Sequence, residues 1–195
     1  IIKPLIGVIT NVGEAHLEGV GSLEGVAKAK GELIEALDDD GIAILNADNE
    51  WSEKLKRLSK GRIITFGVSH EAEVQASKID SFNGEDIQFT LHIGEKKRRI
   101  KLPIPGRHNV YNALASASVA YAIDLDMDAI EQGLTDFSPL KGRMNICSLV
   151  KFTLIDDTYN SNPISLRASL SLLGEMDAEG RKVAILGDML ELGRY

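Results

Sequence analysis

Several things are scarce in this chain, and each scarcity removes a class of protein. There is one cysteine, Cys147, so no internal disulfide can form. It lies in an apolar-alternating stretch and reads as a small core residue, in keeping with a reducing, cytoplasmic setting. No run of roughly 18 apolar residues occurs, so no membrane span is expected. No basic segment followed by an apolar run opens the chain, so no secretory leader is expected. Aromatics are only 5% of residues, and acidic side chains outnumber basic ones 29 to 22, a net charge of −7. Nucleic-acid binding runs on clustered Lys and Arg, and the composition argues against it. The only basic run, Lys96-Lys97-Arg98-Arg99, reads as a solvated hairpin turn.

What is present is ordinary globular material. The chain has 195 residues, 44% hydrophobic and 26% charged, enough to bury a core. Residues 5–10 read as a buried strand bounded by Pro4 and Asn11-Val12-Gly13. Ser22 caps a long helix to about Leu37, with Glu24 in its first turn, where the helix dipole favours an acid. Residues 42–45 read as a second strand, 49–58 as a helix and 62–66 as a third strand. This rhythm predicts an α/β fold with a mostly parallel sheet and flanking helices.

Between residues 73 and 104 the period changes to two, with Ile87, Phe89, Leu91 and Ile93 on one strand and Ile100, Leu102 and Ile104 on another. Asn83-Gly84 and Gly94-Glu95 supply the turns, so a small antiparallel hairpin module is expected here. Helices return at 108–122 and 127–134. Residues 139–142 read as a linker. A hairpin-like pair follows at 146–150 and 152–156, then a helix opened by Asn162 and Pro163, then a strand at 182–187. That last stretch is expected to begin a second, Rossmann-like α/β domain, giving domains of 1–142 and 143–195. Both ends of the chain look cut, and a piece of a longer protein is expected.

Five groups of residues carry chemical potential. On the first long helix Leu23, Val26, Ala27, Leu33, Ile34 and Leu37 mark one face, and Lys30 falls near its middle while Lys28 points away. A lysine there either loses its charge or snorkels its stem along apolar surface. A neutral amine can add carbon dioxide to give a carbamate, a hard oxygen ligand suited to Mg²⁺. His16 and Glu14 follow the first strand, at the carboxyl end where α/β sheets bind ligands. His16 is either a metal ligand or a hydrogen-bonded loop residue.

In Gly106-Arg107-His108-Asn109-Val110-Tyr111-Asn112 the two asparagines share one helix face. Their amides offer donor and acceptor together, as an adenine edge requires, although Asn109 could equally be a simple cap. Asp156-Asp157-Thr158-Tyr159-Asn160-Ser161-Asn162-Pro163 joins a strand end to a helix start. It could hold ribose and phosphate or be only a capped turn. Arg143 at the linker could reach a phosphate or form a salt bridge.

Taken in order, these segments resemble the Mur ligases. The resemblance rests on Thr10-Asn11-Val12-Gly13-Glu14-Ala15-His16-Leu17-Glu18, on Gly25-Val26-Ala27-Lys28-Ala29-Lys30-Gly31-Glu32 and on Asn46-Ala47-Asp48-Asn49. Gly106-Arg107-His108-Asn109, the Asp156 to Pro163 cluster and Gly187-Asp188-Met189-Leu190-Glu191-Leu192-Gly193 complete it. It spans essentially the whole chain, as the later part of a central ATP-binding domain and the start of a C-terminal domain. It implies ATP and Mg²⁺ as cofactors, with His16 and a carbamylated Lys30 at the metal. His108, Asn109, Asn112, Asp157 and Asn160 would lie at the nucleotide, and Arg143 would assist from the junction.

The motif wording further implies a parent that joins D-alanyl-D-alanine to a UDP-N-acetylmuramoyl tripeptide through an acyl phosphate, in peptidoglycan precursor synthesis. One departure matters: the family's Gly-x-x-Gly-Lys-Thr/Ser phosphate loop occurs nowhere in the chain, nor does its upstream metal-binding glutamate. The isolated chain is therefore expected to be inactive. A folylpolyglutamate-synthase-like ligase and a non-catalytic nucleotide-binding module are the alternatives.

Overall fold

The computed structural model describes residues 3–14, 17–82, 86–190 and 192. His16, the Asn83-Gly84 turn, Glu191 and Gly193 lie outside the described residues. Elements run β1 (Ile6–Ile9), α1 (Leu17–Val20), α2 (Leu23–Glu35), β2 (Ile42–Asn46), α3 (Ser52–Lys56) and β3 (Arg62–Gly67). They continue as β4 (Val74–Phe82), β5 (Asp86–Ile93), β6 (Lys96–Leu102), α4 (Arg107–Ala122), α5 (Met127–Thr135), β7 (Asn145–Ser148), β8 (Thr153–Asp156) and α6 (Pro163–Glu175).

β1 to β6 form one six-stranded sheet in sequence order. The first four are parallel, and β4-β5-β6 run antiparallel. The hairpin module is thus not a separate layer. It continues the parallel sheet through two residue pairs, Phe66 with Val74 and Gly67 with Gln75.

Strand alternation sorts the core onto two faces. Ile9, Ala43 and Leu45 face α2 and α3, with Val26, Ile34, Leu37, Trp51 and Leu55 opposite. Ile44, Ile64 and Phe66 face the other way, against Val110, Leu114 and Ala117 of α4 and Ile130 and Leu134 of α5. The alanines of α4 let that helix lie close over β2, β3 and β4. Ser22 caps α2 by accepting from the Gly25 amide at 3.1 Å.

Four expectations are corrected by the structure. The basic run lies in β6, not in the turn. Arg98 pairs with Asp128 and Glu131 of α5, and Arg99 pairs with Asp80 of β4. Cys147 is exposed. It sits on the two-stranded β7–β8 ladder opposite Leu154, which is also exposed, so among the described residues no second layer covers it.

Residues 182–187 form no strand, and Val183 and Ile185 are open to solvent. An apolar run becomes a strand only by exchanging ladder hydrogen bonds with a neighbour, and the β7–β8 ladder does not extend to it. The predicted helix at 49–58 is shortened to α3, because the Asn49 side chain turns the chain first and accepts from the Trp51 amide at 3.2 Å. No helix among the described residues is long and apolar enough to cross a membrane.

Candidate functional site

The loop after β1 is held by side chains that converge on its backbone. Asn46, at the end of β2, donates to the Thr10 carbonyl at 3.0 Å. Asn49 donates to the Asn11 side chain at 2.5 Å and to the Val12 carbonyl at 3.0 Å. Lys30 reaches up from α2 and donates to the Asn11 carbonyl at 2.6 Å. Three residues, Lys30, Asn46 and Asn49, thus fix the loop that leads toward His16, at the carboxyl ends of the parallel strands.

Lys30 is nevertheless exposed rather than buried in the helix–sheet core, which corrects the reading from helical periodicity. Val26, Ile34 and Leu37 on the same face are buried against the sheet, whereas the Lys30 amine reaches beyond the end of β1 and turns onto the loop. Partial burial still lowers the pKa of the amine.

Asp48 is a hub that the sequence did not single out as functional. Its carboxylate accepts from the backbone amides of Val68, Ser69 and His70 at 2.6, 3.0 and 2.7 Å. It also takes the His70 ring at 2.8 Å and the Tyr111 hydroxyl at 2.9 Å. Burial alone pushes this carboxyl upward, but those donors outweigh it and hold the group well below the usual carboxylate range. Burial and the same contact raise Tyr111. The hub ties the end of β2, the β3–β4 loop and the start of α4 together.

Asn109 and Asn112 are brought together as expected. Asn109 donates to the Pro105 carbonyl at 2.6 Å and accepts from Asn112 at 3.1 Å. Both line an apolar cavity of about 350 Å³ between α4, α5 and β6, whose walls include Leu102, Ile104, Ala117 and Ile130. Asn112 is exposed and keeps a carbonyl oxygen and an N–H unspent within the chain's own hydrogen bonds. His108, beside them, has its pKa lowered by burial, opposed in part by the charge of Asp157.

At the linker Gly142 adopts a left-handed φ of 74° and Met144 one of 54°. The Tyr159 amide donates to the Gly142 carbonyl at 3.0 Å, and the Arg143 guanidinium lies 4.0 Å from the centre of the Tyr159 ring. Asp157 accepts from the Met144 amide at 3.2 Å and from Ser169 at 2.5 Å. Asp157 and Asn160 line a second cavity of about 690 Å³ against residues 183–190. The sequence-predicted nucleotide residues therefore divide between two cavities. Contact between the two halves is direct, since a side chain on Gly13 would meet Ile164 of α6 at 2.2 Å.

Fold and site define an α/β architecture whose candidate site loops lie at the carboxyl ends of parallel strands. Residues 1–120 match the Mur ligase middle domain and residues 142–195 the Mur ligase glutamate ligase domain. The chain belongs to the Mur ligase family. It is 39% identical to the UDP-N-acetylmuramoyl-tripeptide–D-alanyl-D-alanine ligase of Buchnera aphidicola, over 100% of this chain and 42% of that protein.

Among solved structures, MurF from Acinetobacter baumannii superposes with a TM-score of 0.92 at 33% identity, over 98% of this chain and 42% of that one. MurF from Thermotoga maritima, described in complex with ADP, gives 0.86 at 25% identity, over 98% and 43%. The chain thus spans about two fifths of the length of the relatives it matches. Those names weigh against the folylpolyglutamate-synthase-like alternative.

Proposed function

We propose that this chain is the later half of the ATP-binding domain and the beginning of the C-terminal domain of a D-alanyl-D-alanine-adding Mur ligase. The domains divide at Gly142-Arg143. The parent activates the tripeptide carboxylate of a UDP-N-acetylmuramoyl precursor with ATP, as an acyl phosphate. The amine of D-alanyl-D-alanine attacks that carbonyl, releasing phosphate and forming the amide. Its setting is the cytoplasm and its product feeds the cell wall, hence cell shape and division.

The observation that carries this reading is the Asn109–Asn112 amide pair at an apolar cavity, in a chain whose relative is described with ADP. Asn109 is spent internally and fixes Asn112. Asn112 then offers donor and acceptor to the purine edge, and the apolar walls take the ring faces. Arg143, steadied by the Tyr159 ring, supplies a guanidinium for a phosphate oxygen. Asp157 accepts from the ribose hydroxyls.

The proposed Mg²⁺ stands differently. As it is, Lys30 donates a hydrogen bond and carries positive charge when protonated, so the unmodified side chain repels a cation. Among the described residues no group of three His, Cys, Asp or Glu side chains could hold a metal, and His16 lies outside them. The carbamate of Lys30 would supply a hard oxygen ligand here.

Titration of the chain with ATP, followed by amide NMR shifts, tests the reading. Saturable shifts on α4 are expected, weakened about tenfold by Asn112→Ala. Unchanged affinity in that variant refutes the adenine assignment. The chain alone is expected to release no phosphate from ATP with tripeptide and dipeptide, and turnover above background would refute the need for a phosphate loop. A Gly-Lys-Thr loop encoded upstream of Ile1 would retire the non-catalytic alternative.

A further inference from the structure

The Asp157 carboxylate is engaged from two sides by groups of different origin. Its Oδ1 accepts the Met144 amide of the linker, and its Oδ2 accepts the Ser169 hydroxyl from the second turn of α6. Ser169 carries one proton but has two acceptors in reach, Asp157 at 2.5 Å and the Ser165 carbonyl at 3.0 Å. The charged acceptor at the shorter distance takes it, because a hydrogen bond to an ionised oxygen is the stronger of the two.

Ser169 is itself held in place. α6 begins with Asn162 accepting from the Ser165 amide at 2.8 Å, while the Ser165 hydroxyl accepts from the Asn162 amide at 3.0 Å. This reciprocal cap sets the register of the first turn, and Ser169 stands one turn further on the same face. On the other side, Met144 keeps its left-handed backbone with its side chain 5% exposed in the main core. The carboxylate therefore sits between two anchored donors that restrain its orientation.

A carboxylate offers about four lone-pair directions. Two are spent, and those remaining belong to a group that, with Ser169, lines the cavity of about 690 Å³. Two acceptor positions at a set spacing suit the vicinal diol of a ribose. We infer that Ser169 is a positioning residue: it locks the Asp157 carboxylate in the orientation that recognises the 2′,3′-diol of the nucleotide sugar. This rests on the assignment of Asp157 to the ribose, and the sequence motif contains no hint of Ser169, which lies outside the Asp156 to Pro163 cluster.

The test compares ATP with 2′,3′-dideoxy-ATP on the 195-residue chain, by amide NMR titration into the millimolar range. Wild-type chain is expected to prefer ATP about tenfold, as for loss of a hydrogen bond to a charged acceptor. Ser169→Ala is expected to reduce that preference to about twofold, and Ser169→Thr to restore it, since threonine keeps the hydroxyl.

A merely structural role for Ser169 would weaken both nucleotides equally and leave their ratio intact, which overturns the inference while the ribose assignment stands. If wild-type chain binds both nucleotides alike, or neither, the ribose assignment fails and the inference falls with it. Should Ser169→Ala fail to fold, Ser169→Cys, nearly isosteric with a weak donor, must show the same loss of preference.

Discussion

Replacing Asp48 with asparagine keeps the shape of the side chain and removes one acceptor and the charge. The carboxylate serves three backbone amides, one imidazole and one phenol, and its side chain is only 10% exposed. An amide oxygen can serve one side of that ring of donors. The amide NH₂ then faces donors on the other side, so two or more of them lose their acceptor. Hydrogen bonds to a charged group are worth about 1.5–3 kcal/mol each. With some relaxation toward solvent, the expected loss is about 3 kcal/mol.

For a chain of this size that corresponds to a fall in Tm of roughly 6–12 °C. The pH dependence has a definite sign. The native pKa lies below the unfolded one, so the stabilisation is complete above about pH 4, the ordinary aspartate range. It is lost as pH falls through the native value. Urea denaturation of wild type and Asp48→Asn should therefore give a constant gap between pH 7 and pH 5 that narrows below pH 4. A gap under about 1 kcal/mol at pH 7, or one that stays constant down to pH 3, refutes the account of Asp48 as an ionised hub.

Tyr111→Phe removes only the phenol that links α4 to Asp48, and should cost about 1 kcal/mol at pH 7 in the same urea experiment. Phe89→Ala empties a fully buried site on β5 and should cost about 3–5 kcal/mol. A loss under about 1 kcal/mol would mean the hairpin module is not part of the cooperative core. The Lys30 amine, its pKa lowered by partial burial, should titrate below free lysine when followed by ¹³Cε NMR. A depressed amine makes the native state bind fewer protons than the unfolded chain between the two pKa values. Stability should therefore rise with pH across that window. Titration at or above the free-lysine value would contradict it.

Much of the fold could be read directly, and the parts that could not share a cause. The start of α6 was legible because Asn162 and Pro163 act within one turn, and the cap has the geometry that their chemistry demands. The alternation of β5 was legible because Ile87, Phe89, Leu91 and Ile93 all face one core. Residues 182–187 and Cys147 were misread because local pattern reports only what a segment would bury if something covered it. Whether a neighbouring layer exists is a property of the whole assembly. The Asp48 hub was invisible for a related reason: its donors are mostly backbone amides, and any residue can supply those.

Lys30 brings both lessons into one side chain. The helical wheel places it correctly in angle, on the same stripe as Val26, Ile34 and Leu37, yet a wheel carries no information about how far the neighbouring sheet extends. Val26, Ile34 and Leu37 are covered by that sheet, while the longer Lys30 side chain reaches the loop beyond β1, where its amine settles on the Asn11 carbonyl. Under the proposed carbamate chemistry this half-covered position is the more useful one. A fully buried amine would be neutral but sealed from dissolved carbon dioxide, and a fully solvated one would stay protonated. An amine with a lowered pKa and one open side meets both requirements. The hydrogen bond to Asn11 is compatible with that chemistry, because the carbamate nitrogen keeps one N–H to donate while its new carboxylate turns away from the carbonyl.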